Sequence, residues 1–341
     1  MTNKEWFAQA KYGMMIHFGL YSLLAGEWKG QRTPGNAEWL QNFIGIPNAE
    51  YSQLAKIFNP IYFNAEEWVT TAKDAGMEYL VVTSKHHEGF ALFQSEYDDF
   101  NCVTGSPFGR DIIAELAEAC YKHNLKLGLY YSQEIDWYEP NGGGWHLDGE
   151  DRDVPINENP KWDWTNYWDY PNHYKKDFSQ CFEAKIKTQF KEILTKYGDL
   201  CLIWCDTPIV ITNEQSMELY NMIKQYQPDC LINSRIGNGV GDYQSCGDNQ
   251  VNFQTGSTST STNGSHDAAV GARTGLYECA VTTMDSWGYK ADCIWKTPES
   301  LKESKDRLNA QGVNFLLNIG PDHLGRLPKP AVDILQKMRE L

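Results

Sequence analysis

The sequence predicts an α/β protein folded as a (β/α)8, TIM-type barrel. Three observations carry that expectation. Short apolar strands alternate with amphipathic helices along the whole chain. Nearly every strand ends in a histidine, tyrosine, arginine or carboxylate. The loop after the first strand, "HFGLYSLLAGEWKG", lacks the GxGxxG pattern of a doubly wound sheet, the competing architecture. With 341 residues and 41% hydrophobic side chains, one large domain over residues 1–341 can bury its own core.

The elements follow in order. "YGMMIHFG" is a strand that delivers His17. "AEEWVTTAKDAG" has the apolar spacing of an amphipathic helix and a glycine stop, and it leads into the strand "EYLVVTSK". That strand runs straight into His86 and His87. The helix "DIIAELAEACYKHN" precedes "KLGLYYS", which offers Tyr130 or Tyr131. "AKIKTQFKEILTKYG" precedes "DLCLIWCD", ending on Asp206, and "NEQSMELYNMIKQYQP" precedes "CLINSR", ending on Arg235. "LYECAVTT" carries Glu278. "PESLKESKDRLNAQG" precedes "VNFLLNIG", and the helix "KPAVDILQKMREL" closes the chain. Seven or eight units of this kind suit a barrel, regular or irregular, with parallel strands and right-handed crossovers.

Two inserts interrupt the rhythm. Residues 133–175 hold Trp137, Trp145, Trp162, Trp164 and Trp168, too much aromatic mass for a disordered loop. Following a strand, this insert is expected over the barrel face where active sites lie, packed on the barrel or on a partner subunit, or stacking on a bound ligand. Residues 236–274, centred on "GSTSTSTNGS", read as a flexible surface loop.

Composition excludes several classes. A formal charge of −15 disfavours nucleic acid and anionic membrane as partners. The nine cysteines sit singly in apolar runs without CxxC spacing, as small buried hydrophobes of a reducing compartment. The start "MTNKEWFAQAKYG" has no apolar signal region, so a cytoplasmic location is expected unless a leader has been trimmed. The 12 Trp and 19 Tyr are the kind of residue on which sugar rings stack.

Barrel enzymes work at the C-terminal ends of their strands. A lone histidine there is often structural, and a lone aspartate is often the N-cap of the next helix. Asp206 exceeds the cap reading, because an entirely apolar strand delivers it, two residues after Trp204 and so on the same face. Glu278, a charged residue inside an apolar strand, is expected to have a raised pKa, as a general acid needs. Two carboxylates in unlike environments point to glycoside hydrolysis. Metal binding is disfavoured: in an extended strand His86 and His87 would point to opposite sides and could not both ligate one ion without a turn, and there is no HExxH motif. No GxSxG elbow or P-loop is present.

The stretches "WFAQAKYGMMIHFGLYS", "AEW" at 37–39, "YLVVTSKHHEGFALFQSEYDDFN", "GRDIIAELAEAC", "LGLYYSQEIDWY", "LIWCD", "QPDCLINSR", "DSWGY" at 285–289 and "VNFLLNIGPDHLGRLP" together resemble the α-L-fucosidases of glycoside hydrolase family 29. The resemblance runs from about residue 5 to about residue 335. It implies a (β/α) barrel and retaining exo-hydrolysis of terminal α-L-fucose from an oligosaccharide or glycoconjugate, without metal or organic cofactor. By position it makes Asp206 the nucleophile and Glu278 the acid/base. It assigns fucose binding to His17, Glu38, Trp39, His86, His87, one of Tyr130 and Tyr131, Trp204 and Arg235. Trp287 or Trp39 would offer an apolar contact to the sugar methyl. The chain departs from the family at Cys205-Asp206-Thr207, where aromatic-Asp-Gly is usual, at Tyr277 in place of Trp, and at Ile236 after "INSR". Within residues 1–341 no C-terminal β-sandwich, which many members carry, is expected. A homo-oligomer is compatible with all of this. The rival readings are a catalytically silent fucose-binding protein on the same scaffold and a barrel glycosidase for a galactose-configured sugar.

Overall fold

The computed structural model describes residues 1–143, 165–171, 175–255 and 274–341. Its main sheet has eight parallel strands: β1 (Tyr12–Ile16), β4 (Tyr79–Lys85), β5 (Lys126–Ser132), β6 (Leu202–Asp206), β7 (Leu231–Ile232), β8 (Gln244–Ser245), β9 (Tyr277–Thr282) and β10 (Val313–Ile319). The remaining pair, β2 (Glu27–Trp28) and β3 (Gln31–Arg32), is a separate antiparallel hairpin. The order across the sheet is β7-β6-β5-β4-β1-β10-β9-β8. Its two ends meet: Asn233 bridges to Tyr243 in parallel, and the N–H groups of Asp242 and Tyr243 donate to the Ile232 carbonyl. The sheet therefore curls into the expected (β/α)8-like barrel, with one irregular unit. β7 passes to β8 through a single 3-10 turn, Ser234–Ile236, without a full helix.

Strand alternation divides the apolar side chains into two cores. Met15, Tyr79, Val81, Leu202, Trp204 and Leu316 point into the barrel. Met14, Leu80, Val82, Ile203, Phe315 and Leu317 point outward against the helices. Trp6 and Phe7, from the short helix Asn3–Ala10, plug the N-terminal end of the lumen. Trp6 meets the Tyr79 ring edge-on at 5.5 Å, and Phe7 meets Tyr243 at 4.6 Å. A filled floor leaves the opposite end for chemistry.

The outer helices form where the sequence signals them. In Ala65–Asp74, Ala65, Trp68, Val69 and Ala72 make the buried stripe, Asn64 caps the N-terminus by accepting from the Glu67 N–H at 3.1 Å, and Gly76 at φ +80° ends the turn. Asp111 caps Ile112–His123 in the same way, and Asn124 ends that helix in the left-handed conformation. The nine cysteines are free thiols, eight of them buried, as their apolar neighbours implied.

Candidate active site

The C-terminal strand ends bring the polar residues together. His17 follows β1, and its Nδ1 lies 2.7 Å from Asn318 Oδ1. The Asn318 amide nitrogen donates to the Trp287 carbonyl at 2.8 Å, so its oxygen must accept and His17 Nδ1 must carry the proton. His87 obeys the same logic. Ser132 Oγ donates to the Ile135 carbonyl at 2.7 Å, so His87 Nδ1–H donates to Ser132 Oγ, also at 2.7 Å. In both rings Nε2 is left as an acceptor. Burial pushes His17 down to about 4 and holds His86 and His87 well below the usual imidazole range. Three neutral imidazoles thus line one wall.

His86 and His87 do not diverge as an extended strand would require. Their ring centroids are 3.9 Å apart. The pairing of β4 with β5 slips between Thr83 and Lys85, and a turn follows in which Gly89, at φ +85°, donates to the His86 carbonyl. That irregularity swings both rings to one side. His86 stacks on Tyr130 at 5.6 Å, and His17 stands between Tyr130 (5.4 Å) and Trp287 (5.2 Å).

Asp206 ends β6 with both oxygens engaged. Arg235 Nη1 donates to Oδ1 at 2.8 Å and Tyr130 Oη donates to Oδ2 at 2.7 Å, while His87 Nε2 lies 4.0 Å from Oδ2. Arg235 spans two carboxylates, since its Nη2 donates to Asp248 Oδ1 at 2.5 Å. The guanidinium lies over the Trp204 ring at 4.9 Å, and Trp204 stacks on Tyr130 at 5.6 Å. Asp206 is nearly buried, its side chain 11% exposed; Asp248 is 38% exposed. Sequence reading missed Asp248. It follows β8, a strand of two residues lost within the Gly/Ser-rich tract, in "SCGDN". The signal that could have found it was the missing eighth strand end.

Glu38 and Trp39 arrive from the segment Ala37–Trp39. Glu38 Oε2 accepts from the Gly288 N–H at 2.8 Å and from Ser286 Oγ at 3.2 Å. Among the described residues its Oε1 and the Nδ1 of His86, both buried, find no hydrogen-bond partner, the condition of groups that a sugar hydroxyl would complete. Trp39 meets His87 edge-on at 4.9 Å and Trp137 at 5.3 Å. Trp137, fully buried, packs behind this wall. Of the other tryptophans in the insert, Trp168 reaches Trp137 at 6.2 Å, whereas Trp145, Trp162 and Trp164 lie outside the described residues. The described part of the 236–274 tract contributes Asp248 to the site, so it is more than a surface loop.

Two placements differ from expectation. Tyr131 faces away: its hydroxyl donates to Gln189 Oε1 at 2.7 Å and its ring packs on Phe190, because alternation sends it outward where Tyr130 goes inward. Glu278 is not at a strand end. It is the second residue of β9, level with Asn314 at the start of β10, near the floor of the barrel. Tyr79 Oη donates to its Oε2 at 2.7 Å and Trp204 Nε1 donates to its Oε1 at 2.8 Å. Glu278 supports the indole on which Arg235 rests.

Burial pushes Glu278, Glu38 and Glu88 each up to about 7, against 4.5 for an ordinary glutamate. A raised carboxyl pKa means that the folded state holds the proton longer. The associated stability is complete below about 4.5 and is lost as pH rises through about 7, at about 1.4 kcal/mol per pH unit and group between those limits. Glu278→Gln mimics the protonated acid. Thermal melts should show wild type losing stability between about pH 4.5 and 7, and the variant losing visibly less. Parallel curves would mean that Glu278 is ionised throughout.

A barrel whose open end joins a guanidinium-bridged carboxylate pair to a wall of neutral imidazoles and tryptophan has the makings of a glycosidase site. The α-L-fucosidase family model matches residues 1–340. Alpha-L-fucosidase 1 of Arabidopsis thaliana is 28% identical over 96% of this chain, and the chain spans 57% of that relative's length. The Dictyostelium discoideum alpha-L-fucosidase is 27% identical over 97% of this chain and 68% of its own. Among solved structures, alpha-L-fucosidase AlfC from Lactobacillus casei in complex with its α-L-fucose product is 47% identical, with a TM-score of 0.88 covering 99% of this chain and 97% of that one. The chain belongs to the α-L-fucosidase family of glycoside hydrolases.

Proposed function

We propose that this protein is a retaining exo-α-L-fucosidase acting on terminal α-L-fucosyl groups of glycans. The observation that carries the reading is the Arg235 guanidinium holding Asp206 on one nitrogen and Asp248 on the other, at the open end of a family barrel. One guanidinium spanning both carboxylates places them at the same end of the barrel, where a pair of carboxyl groups can serve double displacement.

Asp206, the more buried carboxylate, is oriented at both oxygens and acts as nucleophile on the anomeric carbon. Asp248, the more exposed, can meet both the leaving group and bulk water. It gives a proton to the departing glycosidic oxygen, then takes one from the water that attacks C1 as Asp206 departs. The general-acid role thereby passes from Glu278, whose oxygens are committed at the barrel floor, to Asp248. His17, His86, His87 and Glu38 receive the sugar hydroxyls, and Trp287 and Trp39 offer apolar surface to the 6-methyl group. An alanine-type variant of AlfC has been solved with Fucα(1,6)GlcNAc; an α-1,6-fucosylated GlcNAc is therefore the first disaccharide to try here. Release of L-fucose from it by the purified protein tests the reading, and no release from any α-L-fucoside would end it.

The mechanism needs no metal. Among the described residues no three His, Cys, Asp or Glu side chains gather as a ligand set. Full activity is expected after exhaustive EDTA treatment. A loss restored by zinc would overturn this part.

A further inference from the structure

The turn that follows Asp206 is strained and is held from outside. Thr207 sits at φ +59°, in the left-handed region that costs a β-branched residue most. Beyond Pro208, three successive N–H groups converge on one side chain. Ile209, Val210 and Ile211 donate to the Glu134 carboxylate at 2.7, 2.6 and 3.0 Å. Glu134 is fully buried. Its neighbours grip the same region: the Gln133 N–H donates to the Asp206 carbonyl at 3.4 Å, and the Ile135 N–H donates to Thr207 Oγ1, also at 3.4 Å. Gln133 Nε2 donates to the Arg235 carbonyl at 3.0 Å. Gly143 closes the far side, where a Cβ would come within 2.3 Å of Glu134 Cγ.

We infer that Glu134 is a positioning residue for Asp206: its carboxylate locks the 207–211 turn and so sets the direction in which the Asp206 side chain leaves β6. The inference rests on Asp206 being the nucleophile. Only a carboxylate suits the position. Both of its oxygens accept, and charge-assisted bonds to several backbone donors offset the unfavourable Thr207 backbone. A glutamine would turn an NH2 group toward N–H donors. Of the sugar wall, only His87 is linked to this turn, and only indirectly through Ser132 and Ile135, so fucose affinity should change far less than turnover.

The experiment compares wild type, Glu134→Gln, Thr207→Gly and the double variant. For each, kcat and KM on 4-nitrophenyl α-L-fucoside, the Kd for L-fucose and the melting temperature are measured. Wild type lacking activity would sink the functional reading; the outcomes below concern Glu134 alone. Glu134→Gln should lose about 10²-fold in kcat, the cost of a nucleophile displaced by about 1 Å, with Kd for fucose changed by no more than about threefold. Thr207→Gly in that background should recover about tenfold, because glycine holds the left-handed turn unaided. A folded Glu134→Gln with kcat within about threefold of wild type overturns the inference, as does a loss that Thr207→Gly fails to recover. If the glutamine variant does not fold, Glu134→Asp, which keeps two oxygens one methylene back, is read by the same criteria.

Discussion

Asp206→Ala is expected to lose roughly 10⁴-fold or more in kcat on an aryl α-L-fucoside while remaining folded and able to bind L-fucose. On the proposed mechanism the loss follows from removing the atom that would form the covalent intermediate. The fold should survive because Arg235, the buried cation left behind, keeps Asp248 as a partner. Tyr130 loses an acceptor but stays stacked between Trp204 and His86. Azide, small enough for the space vacated by the carboxylate, should restore part of the rate and give the β-configured fucosyl azide, the product of one inversion. Turnover close to wild type in the alanine variant would remove Asp206 from the mechanism.

The second large effect separates Asp248 from Glu278. A general acid matters in proportion to how poor the leaving group is. Asp248→Ala should therefore cost about 10²–10⁴-fold on Fucα(1,6)GlcNAc and far less on 4-nitrophenyl α-L-fucoside, whose phenolate departs with little help. Glu278→Ala should behave differently. It withdraws the acceptor that holds the Trp204 indole, and with it the surface under Arg235, so both substrates should suffer alike. The reverse pattern, with Glu278→Ala selective for the disaccharide and Asp248→Ala indifferent to it, would return the acid role to Glu278.

How much of this could be read beforehand varied with the physics behind each residue. Strands such as "EYLVV" and "LCLIW" are continuous apolar runs because both faces of a parallel barrel strand are covered, so their ends, and with them His17, Asp206 and Arg235, were legible. β8 has two residues, too few to show any period, and Asp248 disappeared with it. Glu278 misled because charge inside an apolar strand marks burial without saying at which end of the barrel it lies; that depends on register with β10, a long-range fact. Tyr130 and Tyr131 could not be told apart until the inward face of β5 was fixed. The convergence of the paired histidines could not be read beforehand, because the slip at Thr83 and Lys85 belongs to the pairing with β5. Thr207 is the reverse case. Its departure from the family's glycine was visible in the sequence, but its meaning needed the φ angle and Glu134's three hydrogen bonds.

The central claim, double displacement through Asp206, is tested most directly by the anomeric form of the first fucose released. Hydrolysis of 4-nitrophenyl α-L-fucoside, followed by proton NMR before mutarotation catches up, should show α-L-fucose appearing first and the β anomer growing in later. β-L-Fucose as the initial product would mean a single inversion by water, and an Asp206 that never bonds to the sugar.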